Sequence, residues 1–168
     1  MDCPRIAVPR RGFLRYSALG LAGASLAPWA TAQQPAERPD PIASELVKEF
    51  VIKGHGDFTR TEELLNEHPG LLNVSWDWGG GDYEMAVEGA GHVGNREIAE
   101  FLLARGARVT LFVAAMLGRI EIVKPMLTAF PKQIQAKGPH GLGLVHHAKR
   151  GGEQAKEVLE YLQSVGAS

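Results

Sequence analysis

Cysteine is all but missing from this sequence: among 168 residues, Cys3 is the only one. No intramolecular disulfide can form, and beyond position 3 there is no thiol nucleophile and no thiolate for a metal. A basic surplus is missing too, with 18 Lys and Arg against 19 Asp and Glu. That balance excludes the strongly positive face that nucleic acid or an anionic membrane surface would require. Membrane-length apolar runs are missing as well. Tyr16 to Ala30 spans 15 residues, short of the roughly 20 that cross a bilayer. Ser44, Ser75, Ser164 and Ser168 lack the glycine frame of a nucleophile elbow, and nothing assembles a triad. The chain therefore reads as a non-enzyme that calls for no cofactor. What it does have is 45% hydrophobic residues, enough for a folded core.

The N-terminus carries an address. Arg10-Arg11-Gly12-Phe13-Leu14-Arg15 resembles the twin-arginine export motif over its whole length. The apolar run follows, then Ala30-Thr31-Ala32, a small-residue cleavage site that places the mature start at Gln33. Leu21-Ala22-Gly23-Ala24 imitates a lipoprotein box, but Ala24 stands where the lipid-bearing cysteine must be, so lipidation there is chemically excluded. The resemblance implies a bacterial protein that is periplasmic or secreted, with no membrane attachment after cleavage. Residues 1–32 thus form a signal peptide that takes away Arg5, Arg10, Arg11, Arg15, Asp2 and Cys3. The remainder holds 14 basic and 18 acidic residues, a balance of −4.

A linker over 33–42 opens with QQPAERPDP, whose three prolines favour extended chain. Beyond it, over 43–168, apolar residues recur at helical spacing: Leu46, Val47, Phe50 and Val51; Ile98, Phe101 and Leu102; Val113, Met116 and Leu117; Val158, Leu159 and Leu162. No β-run stands out. Short helices separated by Gly and Pro turns predict an array of αα-hairpins.

The array repeats. Residues 109–127, VTLFVAAMLGRIEIVKPML, are similar to the ankyrin pattern TPLHLAAxxGHxEIVxxLL along its full length. Ala114 and Ala115 fit the small positions where paired helices touch, and Gly118 takes the turn. The same register recurs at 94–107 and 143–159, with a more degenerate unit over about 43–72. The resemblance implies an all-α, short ankyrin-like solenoid of about four helix-turn-helix units. This chain departs from the pattern in several places. No unit keeps the Thr-Pro pair, and Pro125 falls inside a second helix, where it should kink it. Leu65, Leu103, Leu127 and Leu162 lie 38, 24 and 35 apart, against a period of about 33. The connection from Arg105 to Val109 leaves no room for a finger loop, so only two long fingers remain, near 73–82 and 131–142.

The first finger, Asn73 to Tyr83, holds Trp76 and Trp78, and Gly79-Gly80-Gly81 suggests a mobile tip. Aromatic residues dominate interface hot spots, so the finger reads either as a contact surface or as a cap on the core. By the resemblance, the function is to bind another protein through the concave face. An exported enzyme is one such partner, and Trp76, Trp78, Tyr83, Glu88 and His140 are the contact residues. The alternative is an accessory protein that binds a small ligand or metal near His140, His146 and His147. Against it, adjacent helical residues point about 100° apart, so His146 and His147 cannot readily share an ion. His146 also occupies the position whose histidine hydrogen-bonds between ankyrin units. No residue is assigned as a metal ligand on this evidence. Gly89-Ala90-Gly91-His92-Val93-Gly94 matches G-x-G-x-x-G, but a helical stretch precedes it and no acidic residue follows at 105–115. Acidic pairs such as Glu62-Glu63 and Asp82 with Glu84 read as solvated faces or helix-start charges.

Overall fold

The computed structural model describes residues 39–167. The expected signal peptide, its Arg10–Arg11 pair, the expected cleavage positions Ala30 and Ala32 and most of the expected linker lie outside the described residues. The described part is mostly helical. Eight α-helices run in chain order: α1 Ser44–Lys53, α2 Phe58–Glu67, α3 Ala86–Val93, α4 Arg96–Ala104, α5 Leu111–Met116, α6 Ile120–Ala129, α7 Leu144–Arg150 and α8 Lys156–Ser164. None is long and apolar enough to cross a membrane.

Local chemistry starts and stops these helices. Asp57, Asn95 and Thr110 are N-caps whose side chains accept from the amides of Arg60, Ile98 and Val113. Gly94 and Gly118 end first helices in the left-handed region, at φ of 84° and 73°, where a β-carbon is disfavoured. Pro125 lies inside α6, as the sequence predicts, and the helix continues to Ala129. Pro125 and Glu121 are both exposed. The carbonyl that the proline leaves unpaired is thus within reach of water.

Helices pair as α1–α2, α3–α4, α5–α6 and α7–α8, and the first helices pack in a row, α1 on α3, α3 on α5, α5 on α7. Two apolar clusters form the core. One centres on Phe50, Leu64, Leu71, Ile98 and Leu102, the other on Leu127, Leu144, Val158 and Leu162. The six-residue α5 joins them, giving Val113 and Met116 to the first cluster and Leu111, Ala114 and Ala115 to the second. Each cluster draws on more than one helix pair, so no pair buries its apolar stripe alone.

The structure corrects the expectation of no β-structure. The first finger is a hairpin, β1 Ser75–Asp77 against β2 Tyr83–Met85, antiparallel, with Trp76 opposite Glu84. Strands of three residues are too short for alternation to show in a sequence. Gly79, Gly80 and Gly81, all at positive φ, turn the chain between them. The second finger consists of 3-10 turns at Pro131–Gln135 and Pro139–Gly141, closed by a bridge between Lys137 and Gly143.

The missing third finger has a structural consequence. With only residues 105–110 joining α4 to α5, nothing stands between the two long fingers, and they meet. The backbone amide of His140 donates to Asp82 Oδ1 and its Nδ1 lies 2.9 Å from Oδ2. Helix α7 also reaches past α5 to α3, and His146 Nε2 donates to the carbonyl of His92 at 2.9 Å. His146 thus links the fourth helix pair to the second.

Candidate functional site

Glu84 is the centre of the site. It sits on β2 with a fully buried side chain, which corrects its reading as a solvated charge. Its Oε2 accepts from the indole Nε1 of Trp78 at 2.9 Å. Three imidazoles converge on the same carboxylate. His92 Nε2, from the last turn of α3, is 2.9 Å from Oε1. His55 Nε2, from the turn Gly54–Gly56 after α1, is 3.5 Å from the same oxygen. His140 Nε2, from the second finger, is 3.5 Å from Oε2. One ligand-type atom from each of the four residues lies within 4.8 Å of the others.

The rings are held from behind. His55 Nδ1 donates to the carbonyl of Val51 at 2.9 Å, and His140 Nδ1 faces Asp82. Gly89 gives His55 its place: a β-carbon there would stand 2.7 Å from His55 Cε1. The glycines first considered as a dinucleotide loop are therefore packing features of α3. His140 has φ of 58°, the only positive value among the described non-glycine residues. A backbone conformation of this kind costs on the order of 1–3 kcal/mol and tends to mark functional sites.

Burial would push the Glu84 carboxyl up, yet His55, His92 and Trp78 together hold it down at about 2. The same contact with Glu84 raises His55 against the opposing effect of burial. Glu88 is raised, chiefly by burial.

The other predicted contact residues fall into different environments. Trp76 is half-buried, with the Lys48 ammonium 5.3 Å from its ring. Trp78 is 38% exposed and its ring packs near that of His140, centroids 5.8 Å apart. Neither indole belongs to the two core clusters. Tyr83 projects outward, 59% exposed. Glu88 is buried and accepts from the amide of Met85 at the start of α3. Tyr83, Glu88, Gly81, Asp82, Phe112 and the 137–139 backbone line a cavity of about 240 Å³ between the fingers. His147 is fully buried, with Nδ1 donating to the carbonyl of Gly143. It and His146 take no part in the cluster at Glu84; of the three histidines first grouped, only His140 does.

Sequence reasoning missed His55, Glu84 and His92 as site residues. One signal was available: three of the four site residues are histidines next to a glycine, Gly54-His55-Gly56, Gly91-His92 and His140-Gly141. Neither a known family's sequence profile nor any curated protein matches this chain.

Proposed function

We propose that the chain is an exported binding module: a short, ankyrin-like stack of helix pairs that takes a segment of another protein in the channel between its two fingers. The observation that carries the reading is the cavity between the fingers, lined by Tyr83, which is 59% exposed, and by Phe112. Large aromatic rings beside a recess are the usual anchors of a protein interface. The row of first helices and the ankyrin-like pattern at 109–127 support the stack. A larger cavity of about 310 Å³, lined by residues including Leu103, Val109, Leu117 and Ile122, has no finger beside it.

A photo-crosslinking amino acid at Tyr83 of the full chain, expressed in a twin-arginine-competent bacterium, tests this. A defined adduct is expected from position 83 and none from Gln163, which is exposed on α8. Once the partner is purified, Tyr83→Ala should weaken binding by about 30-fold, as a hot-spot loss near 2 kcal/mol would. Equal adducts from both positions, or none from Tyr83, would overturn the assignment.

Export is a separate part of the reading. Processing after Ala32 should yield an N-terminus at Gln33, and replacing Arg10 and Arg11 together by Lys should halt it, because the paired guanidinium groups are what the export receptor reads. An exported protein that still begins at Met1 would defeat this.

A second reading, an accessory protein that holds a metal or small ligand, is favoured by the convergence of His140 on Glu84. His146 and His147 lend it no support.

A further inference from the structure

We propose that His55, Glu84, His92 and His140 form a binding site for one divalent ion of the later first transition series, with zinc as the reference case. The proposal is independent of the protein-binding reading.

The proton inventory is the first argument. A backbone carbonyl only accepts, so His55 Nδ1 carries a hydrogen to Val51, and in the neutral ring Nε2 is a bare lone pair. The ionised Asp82 likewise only accepts, so His140 Nδ1 carries the hydrogen and its Nε2 is bare. Both lone pairs face a carboxylate that is itself all acceptor. His92 Nε2 lies 3.0 Å from His55 Nε2, so a proton on His92 can bridge the two rings. Even then Glu84 Oε1 is left buried without a hydrogen-bond partner, although two ring nitrogens lie within 3.5 Å of it. A buried carboxylate oxygen without a hydrogen-bond partner, in a cluster where at least two of three imidazoles turn a lone pair inward, is a place for a cation.

Ligand chemistry chooses the cation. Three of the four donors are imidazole nitrogens, which suit zinc, copper, nickel and iron and exclude the oxygen-seeking calcium and magnesium. With metal–nitrogen bonds of about 2.0–2.1 Å, tetrahedral ligand atoms stand roughly 3.4 Å apart. The 2.9, 3.0 and 3.5 Å separations among His55, Glu84 and His92 bracket that spacing. His140 completes the set, its donor atom lying within 4.8 Å of the other three; a four-coordinate ion would draw it inward.

The outer shell has the form such sites take. Val51 and Asp82 each fix a ring from its far nitrogen, and Trp78 holds the carboxylate by Oε2, leaving Oε1 for the ion. The left-handed backbone at His140 presents its ring to the cluster, and Asp82 holds that conformation through the His140 amide. In energetic terms, binding an ion would offset the backbone strain.

The test uses the full chain stripped with a chelator, exchanged into buffer and titrated with zinc in a calorimeter, then with cobalt for its visible absorption. One equivalent of zinc should bind, and cobalt should give the intense visible bands of a four-coordinate site. His140→Ala removes a ligand from an exposed loop without touching the core, so folding should survive. It should weaken zinc binding more than 100-fold, beyond the roughly 10–100-fold expected when Asp82→Asn loosens the support of that ring. His92→Ala should abolish binding, and His68→Ala, at an exposed histidine outside the cluster, should change nothing. Far-ultraviolet circular dichroism of each variant reports folding. Absence of zinc uptake by the native chain, or uptake that His140→Ala leaves unchanged, overturns the proposal. Equal loss in His68→Ala does so as well.

Discussion

Ala115→Asp is expected to unfold the protein. Ala115 is completely buried on α5, in the cluster with Leu127, Leu144 and Val158. Its methyl group lies where the short helix serves both halves of the core. A carboxylate placed there has no cation among the cluster members and no access to water, and burying such an unpaired charge costs at least about 3 kcal/mol. The added volume has to be accommodated in a close-packed core as well. Domains of this size are stable by about 5–15 kcal/mol, so the variant should lose much of its helical circular-dichroism signal or unfold at far lower urea. Ile122→Asp, one helix away but 39% exposed, should shift the urea midpoint little. Equal tolerance of both changes would mean that α5 does not join the two clusters.

Acid should weaken the fold through His147. Its ring is fully buried, Nδ1 donates to Gly143, and Nε2 is buried with no partner. A proton on Nε2 would be a buried charge without an acceptor. Burial, opposed only by the Gly143 contact, pushes this histidine from 6.5 down to about 4. The unfolded chain therefore binds a proton between those values that the folded chain refuses. The stability is fully present above 6.5 and is lost as pH falls toward 4, to a total of about 3 kcal/mol. Two other groups act in different windows. His55 is raised, so its contribution is present below 6.5 and lost as pH rises. Glu84, held at about 2, loses its contribution only as pH falls below 4.5. Urea midpoints measured in chelator at pH 7, 6, 5 and 4 should fall steeply over this range. His147→Leu should flatten the fall, and an unchanged slope in that variant would exonerate His147.

Much of the fold was legible because it is locally encoded. Apolar spacing in Val158, Leu159 and Leu162 and the turn glycine Gly118 act within a few residues of themselves; so do the caps Asp57 and Asn95, which the structure added. Helices begin and end by interactions of that range. The hairpin was not legible, since three residues per strand carry no readable alternation and the pairing of Trp76 with Glu84 depends on the triple-glycine turn.

The site was hidden for a different reason. Its residues at 55, 84, 92 and 140 come from two of the helix pairs and both fingers, and no spacing rule links positions so far apart. His146 and His147 looked grouped with His140 because they are close in sequence, yet helix geometry turns one toward His92 and the other into the core. Glu84 looked like a surface charge because, two residues from Asp82 and just after a glycine-rich tip, it reads as half of a solvated acidic pair. The sequence by itself determined the helix pairs, their order and the two long fingers, because hydrogen bonds and apolar periodicity within each segment suffice for those. Only the tertiary structure decided that the fingers touch. The short 105–110 connection lets the second finger reach Asp82, and that contact brings His140 to the buried carboxylate of Glu84.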